Sequence, residues 1–195
     1  MTFRLGLTGS IGMGKSTTAQ MFRDAGHPVW DADQAVHRLY APGGAAVGPV
    51  AAAFPAALRD GGIDRGALKA AIAGDPAALD RLSAIVHPIV AADRDGFVAL
   101  HADAPLVVLD IPLLYENGYG AQMDGVAVVS ADADTQRRRV LARPGMTEDL
   151  LDLILSRQMP DAEKRARADW IIPTDSLDAA RRAVNRIVKE IATLA

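Results

Sequence analysis

Apolar positions along the chain fall into two periods. Short, unbroken apolar runs rich in β-branched residues occur at residues 3–8 (FRLGLT), 105–114 (PLVVLDIPLL), 125–130 (GVAVVS) and 169–174 (DWIIPT). Runs of this length without polar alternation suit parallel strands covered on both faces. A shorter one, residues 28–33 (PVWDAD), ends in acids. Between the runs, apolar residues recur at steps of three and four, the spacing of helices with one buried face. Strands alternating with helices predict an α/β fold, a parallel sheet with helices on both faces.

The helical stretches set the organisation. The first strand leads through a Gly-rich loop into KSTTAQMFRDAG, with Gly26 as the closing residue. Residues 35–103 separate the second and third strands, more chain than a crossover needs, so they predict a helical insertion. It opens on APGGAAVGPVAAAFPAAL and continues through PAALDRLSAIVHPIVAADRDGFVALH, helical by period, where Pro88 predicts a kink or a break between two helices. A second insertion, residues 135–167, predicts two or three short helices, with a turn at Pro144-Gly145 and Pro160 at the first position of a helix. The last segment, residues 175–195, reads as an amphipathic helix capped by Asp175 or Ser176, with Leu177, Ala180, Val184, Ile187, Val188 and Ile191 on one face.

Composition narrows the class. A chain of 195 residues, 50% hydrophobic, buries a core as one domain with insertions. It has no cysteine, which removes disulfides and thiolate sites together and suits a reducing compartment. Neither a leader pattern nor a membrane-length apolar stretch is present, so a soluble, cytoplasmic protein is expected. The net charge of −3 argues against a protein built to hold nucleic acid, yet residues 137–167 carry eight basic side chains against five acidic ones.

Residues 9–16, GSIGMGKS, fit G-x-x-x-x-G-K-[ST] at every fixed position, Gly9, Gly14, Lys15 and Ser16. Glycines let backbone N–H groups turn inward around phosphate oxygens, and the helix that follows aims its positive end at them. Lys15 is expected to reach the β- and γ-phosphates and Ser16 to ligate Mg²⁺, with Asp31 or Asp110 as candidates acting through water. The donor is therefore a nucleoside triphosphate with Mg²⁺ as cofactor. Three acceptor classes follow: a small molecule, water in a switch protein, or water in a nucleic-acid motor. No Asn-Lys-x-Asp element for guanine is present, and aromatic residues make up 5% of the chain with none among the arginines. Both observations weigh against the switch and the motor and favour a small-molecule kinase.

Such a kinase needs a carboxylate near the acceptor hydroxyl and cations for the transferred phosphoryl. Asp31 and Asp33 end the second strand, at the rim where ligands of doubly wound sheets bind; on an extended backbone both would face one way, and Asp33 is the preferred base. Asp110, at the tip of the strongest strand, reads as a partner of the Mg²⁺ shell or a substrate contact. Arg139 and Arg143, four apart on a helix, would clasp phosphates from a lid.

The run LGLTGSIGMGKST, then DAD with His37, IDR (63–65), IVHP (85–88), LDIPLLYE (109–116), QRRRVLAR (136–143), Arg157-Gln158 and EKRARADWII (163–172), in this order over nearly the whole chain, resembles the dephospho-coenzyme A kinase family. The resemblance implies a P-loop kinase fold: a five-stranded parallel nucleotide-binding core (1–34, 104–134, 168–195), a helical acceptor-binding insertion (35–103) and a small helical lid (135–167). It implies ATP-dependent phosphorylation of the ribose 3′-hydroxyl of dephospho-coenzyme A, with another small-molecule or nucleotide kinase of this fold as the alternative. Carried onto this chain, it has Gly9, Gly12, Met13, Gly14, Lys15, Ser16 and Thr17 holding ATP and Asp33 acting as base. Thr8, Arg65, His87, Asp110 and Leu114 would surround the acceptor, and Arg139 and Arg143 would supply lid charge. Its implied partners are ATP and dephospho-coenzyme A, without nucleic acid or membrane, acting on a monomer or weak homo-oligomer. The chain departs from the family pattern at Met13, where serine is frequent, at Ala71-Ile72, in place of a common Val-Phe pair, and at Pro173-Thr174, where an Ile-x-Asn is common.

Overall fold

In the computed structural model, which describes residues 2–193, each of the five apolar runs contributes a strand. The chain runs β1 (Phe3–Thr8), α1 (Lys15–Asp24), β2 (Val29–Asp31), α2 (Ala32–Tyr40), α3 (Val47–Ala53), β3 (Leu58–Arg59), β4 (Gly62–Ile63), α4 (Arg65–Ile72), α5 (Pro76–Leu100), β5 (Leu106–Asp110), β6 (Gly125–Ser130), α6 (Ala133–Leu141), α7 (Glu148–Ser156), α8 (Asp161–Arg167), β7 (Trp170–Pro173) and α9 (Leu177–Ala192). Two units result, one combining the residues up to Trp30 with those from His101 onward, the other Asp31–Leu100.

The first unit is built on a five-stranded parallel sheet of order β2-β5-β1-β6-β7, with β1 central and paired to β5 and β6. One sheet face carries Leu5, Leu7, Leu106, Val108, Ala127 and Val129, which join Phe22 of α1 and Val184 and Ile187 of α9 in one buried cluster. Each such side chain taken from water contributes about 1.5–3 kcal/mol before entropy is set against it. Val107, Leu109, Val126 and Val128, on the opposite face by the two-residue period, are buried as well, which is why these strands read as unbroken apolar runs. The same period places Asp110 in line with Leu106 and Val108, at the tip of the face that carries α1.

Ser176 caps α9 by accepting from the Ala179 N–H at 3.1 Å, one of the two caps expected. Leu177 lies outside the buried stripe at 63% exposure, in contrast to its sequence assignment. The predicted end of this helix at Leu194 and Ala195 lies outside the described residues.

The second unit packs α2–α5 and the β3–β4 hairpin around Leu39, Val50, Phe54, Ile63, Leu68 and Val86. Two expectations are corrected here. The chain does not break at Pro88, because α5 continues through it. A mid-helix proline costs about 3 kcal/mol, offset here by Ile85, Val86, Ile89 and Val90, which pack on that core from both sides of it. Nor do Asp31 and Asp33 share an extended strand: β2 ends at Asp31, whose carboxylate caps α2 by accepting from the Gln34 N–H at 2.9 Å, and Asp33 stands in the first helical turn. Among the described residues no helix is long and apolar enough to cross a membrane.

Candidate active site

The loop between β1 and α1 is shaped by what it lacks. Helices α2, α4, α6, α7 and α9 each begin on a side chain that accepts from the first turn, whereas α1 begins on Gly14, at φ 90°, with no side-chain cap. Its leading N–H groups have no acceptor within the helix and stand ready for an anion. Gly12, at φ 79°, lies against α6 so closely that a Cβ would fall 2.5 Å from Val140 Cγ2. Met13 turns its side chain into the core beneath the sheet, 2% exposed, and leaves its backbone to the loop. The thioether therefore does not occupy the phosphate-facing side.

Three side chains from far along the sequence hold this loop. The Thr174 hydroxyl, buried, donates to Met13 O at 2.6 Å. Gln136 Nε2 donates to Ile11 O at 2.8 Å, and Gln158 Oε1 accepts from the Ile11 N–H at 3.1 Å. None of the three was singled out from the sequence as a contact of the loop. Thr174 entered only as a departure, and the glutamines only as members of QRRRVLAR and Arg157-Gln158; a glutamine only 8% exposed, as Gln136 is, is a signal visible only after folding.

Lys15, at the start of α1, pairs through Nζ with Asp110 Oδ1, and the Asp110 side chain is 1% exposed. Ser16 and Thr17 follow on the exposed side of the first turn. Thr8 is buried, its hydroxyl donating to Pro112 O at 3.0 Å, and Leu114 is fully buried against Gly6. Arg139 donates from Nη2 to Thr174 O at 2.6 Å and from Nη1 to Thr174 Oγ1 at 3.2 Å. A cavity of about 390 Å³ opens beside the loop, lined by Gly12, Gly14, Thr17, Arg139, Arg143 and Ser176 among others. The two arginines reach it by a different route from the one expected, since α6 ends at Leu141 and Arg143 lies beyond it.

The second unit holds the other candidates. Asp33 is exposed at the start of α2, and His87 is exposed midway along α5. Arg65, the first residue of α4, lines a cavity of about 590 Å³ together with His37, Tyr40, Arg59 and Asp64. Burial raises the Tyr40 phenol above its ordinary pKa, and the Arg65 charge partly counters that. His87 is not among the lining residues of that cavity.

Oxygen donors suited to a hard cation are present at the loop in Ser16 and Asp110, a set that Mg²⁺ completes with substrate phosphates and water rather than with an all-protein cage. Nearby, Lys164 of α8 is fully buried, its Nζ 2.8 Å from Glu116 Oε1, which also accepts from the Met159 N–H at 2.8 Å. Burial pushes the Glu116 carboxyl up, but the Lys164 ammonium and the amides of Glu116 and Met159 outweigh it and hold the group below its ordinary range.

A phosphate loop between the central strand and an uncapped helix, a lysine at its floor and an arginine-lined cavity beside it define a P-loop kinase. The sequence profile of the dephospho-CoA kinase family matches residues 3–179. A dephospho-CoA kinase of Cereibacter sphaeroides is 63% identical over 97% of this chain and 95% of its own. Among solved structures, a Thermus thermophilus protein superposes with TM-score 0.82 at 34% identity over 97% of both chains. A Campylobacter jejuni dephospho-CoA kinase shares the fold with TM-score 0.67 at 22% identity, again over 97% of both. The chain belongs to the dephospho-CoA kinase family.

Proposed function

We propose that this chain transfers the γ-phosphoryl group of ATP to the ribose 3′-hydroxyl of dephospho-coenzyme A, giving coenzyme A and ADP, the last step of coenzyme A synthesis. The observation that carries the reading is the loop itself: open N–H groups at the start of α1, Lys15 beside Asp110, and Arg139 and Arg143 on the adjoining cavity. Family membership supplies the acceptor.

In this reading Gly9, Gly12 and Gly14 present main-chain groups to the phosphates, joined by Thr17; Met13 belongs to the same ATP-binding loop, where its N–H donates to Ser10 O at 3.2 Å and its carbonyl accepts from Thr174. Lys15 leaves Asp110 for the β- and γ-phosphates, and Arg139 and Arg143 neutralise charge that develops on the transferred group. Asp33 orients the acceptor hydroxyl and takes its proton. Arg65 and His87 bind the acceptor through their side chains. Thr8 and Leu114, both buried, shape the floor and wall of the acceptor site instead. Ser16 would hold Mg²⁺, with Asp110 or Asp31 acting through water, and the ion would supply positive charge against the phosphates. Residues 35–103 serve as the acceptor-binding insertion and 135–167 as the lid of a core formed by 1–34, 104–134 and 168–195. The lack of cysteine suits work in the cytoplasm, as a monomer or weak homo-oligomer.

The test is incubation with ATP and Mg²⁺ and, in parallel, dephospho-coenzyme A or a panel of nucleosides and nucleoside monophosphates, read by mass. One added phosphoryl on dephospho-coenzyme A alone is expected. Phosphorylation of another acceptor in its place would overturn the reading.

A further inference from the structure

We infer that Gln136 and Gln158 are positioning residues for phosphoryl transfer. They hold the two peptide groups that flank Ile11, one by its N–H and the other by its carbonyl, and so fix the conformation in which the amides that follow receive the triphosphate. The inference rests on the kinase reading above and concerns the donor half of the site alone.

A tight loop at a helix start has many backbone groups and few internal partners. At Ile11 both groups are taken, the N–H by Gln158 Oε1 at 3.1 Å and the carbonyl by Gln136 Nε2 at 2.8 Å. Ile11 N–H is thereby withdrawn from the phosphates, and the two peptide planes on either side of the Ile11 Cα are each held by one side chain before Gly12 and Gly14 turn the chain at positive φ.

Both glutamines are themselves held. Gln136 stands in α6, whose Val140 closes on Gly12, and three residues later the same helix fixes Arg139 to Thr174. Gln158 precedes Met159, whose N–H donates to Glu116, and Glu116 is the counter-ion of buried Lys164. The stretch from Gln136 to Gln158, which carries Arg139, Arg143 and Arg157, is thus fastened to the phosphate loop at both of its ends.

The backbone partners dictate which amide atom each glutamine must offer. Position 158 needs an acceptor and position 136 needs a donor. Gln158→Glu keeps its acceptor, whereas Gln136→Glu sets a carboxylate against a carbonyl. Both add one negative charge beside the same residue, Ile11, so charge repulsion weakens nucleotide binding in both, and the difference between them reads the direction of the hydrogen bond.

The experiment is direct titration of ATP and ADP by calorimetry on the wild type, Gln136→Leu, Gln158→Leu and the two glutamates, with steady-state kinetics and a thermal melt on each. Losing one such bond and stranding its backbone partner predicts roughly tenfold to hundredfold weaker nucleotide binding in both leucine variants and in Gln136→Glu. Gln158→Glu is expected to bind at least about tenfold tighter than Gln136→Glu, and KM for the acceptor is expected to stay unchanged in all four. Equal binding by the two glutamates, or wild-type binding in both leucine variants, overturns the inference. If a leucine variant does not fold, the isosteric glutamates decide alone. A wild type that binds ATP but leaves dephospho-coenzyme A unmodified refutes the acceptor assignment and leaves this inference standing.

Discussion

Lys15 and Asp110 form an ion pair at the floor of the phosphate loop, and its two partners come from the ends of α1 and β5 that meet on one face of the sheet. The aspartate is nearly inaccessible, so the lysine neutralises a buried carboxylate, and in the proposed reaction it has the second task of meeting the triphosphate. Lys15→Ala is expected to abolish detectable transfer. It also leaves Asp110 buried without that ammonium, a change that costs about 3–5 kcal/mol when a buried pair loses one member. Adding Asp110→Asn to Lys15→Ala is expected to recover most of the lost melting temperature and none of the activity. A double variant no more stable than the single one refutes the coupling.

Asp33 and Asp31 are separated by their local backbone. Asp31 is committed to a helix cap, so Asp31→Ala is expected to cost about 0.5–2 kcal/mol of stability. Asp33 is not the capping residue and stands exposed in the first turn. Asp33→Asn is expected to lower kcat by roughly a hundredfold to ten-thousandfold with ATP affinity nearly retained. An unchanged kcat in Asp33→Asn together with an inactive Asp31→Asn would show that the wrong carboxylate was chosen.

The difference between these two acids shows where sequence reading reaches its end. The phosphate loop was legible because each of its fixed residues answers to backbone geometry that any chain must satisfy. The strands of the first unit were legible because they are covered on both faces, which leaves an unbroken apolar run. Helix starts were less so: whether residue 32 continues a strand or begins α2 depends on packing of Ala35 and Leu39 in a core made by distant residues. Of the kink or break expected at Pro88, the break is absent for the same reason, since contacts on either side of it outweigh local propensity. Gln136, Gln158 and Lys164 stand in stretches that carry the family resemblance, yet nothing in the sequence marks what they bond, because their partners at Ile11 and Glu116 lie far along the chain and are met only on folding.

Thr174 joins the loop to Arg139, and the link is separable from packing. Thr174→Val keeps the shape while removing the hydroxyl, which deprives Met13 O of its donor and Arg139 Nη1 of an acceptor. A loss of about 1–3 kcal/mol is expected, which for a chain of this size lowers Tm by several degrees, roughly 2–4 °C per kcal/mol. Thr174→Ser is expected to restore both Tm and nucleotide affinity. Arg139→Lys, which cannot span Thr174 O and Oγ1 as a fork, is expected to lower kcat with little change in Tm. Equal stability of the valine and serine variants would show that the hydroxyl is not what joins these elements.

The buried Glu116–Lys164 pair gives a dependence on pH with a definite sign. Glu116 is held below its ordinary value of 4.5 in the folded protein, so its ionised form is favoured by folding. The stability it contributes is therefore fully present above that value and disappears as pH falls through the lower, folded one. Glu116→Gln removes the counter-ion of a lysine with no exposed surface, and at neutral pH it is expected to cost about 3–5 kcal/mol. The gap between wild type and variant, measured by urea unfolding, is expected to stay level from about pH 5 to 8 and to narrow steadily below that, as the wild-type carboxylate takes up its proton. A gap that keeps its size into acid would mean that Glu116 acts through shape and hydrogen bonding rather than charge. Replacing the pair together, Glu116→Leu with Lys164→Met, is expected to recover most of the neutral-pH stability while loosening Met159. Nucleotide affinity would then fall in a protein that melts normally, which separates the pair's contribution to folding from its support of the phosphate loop.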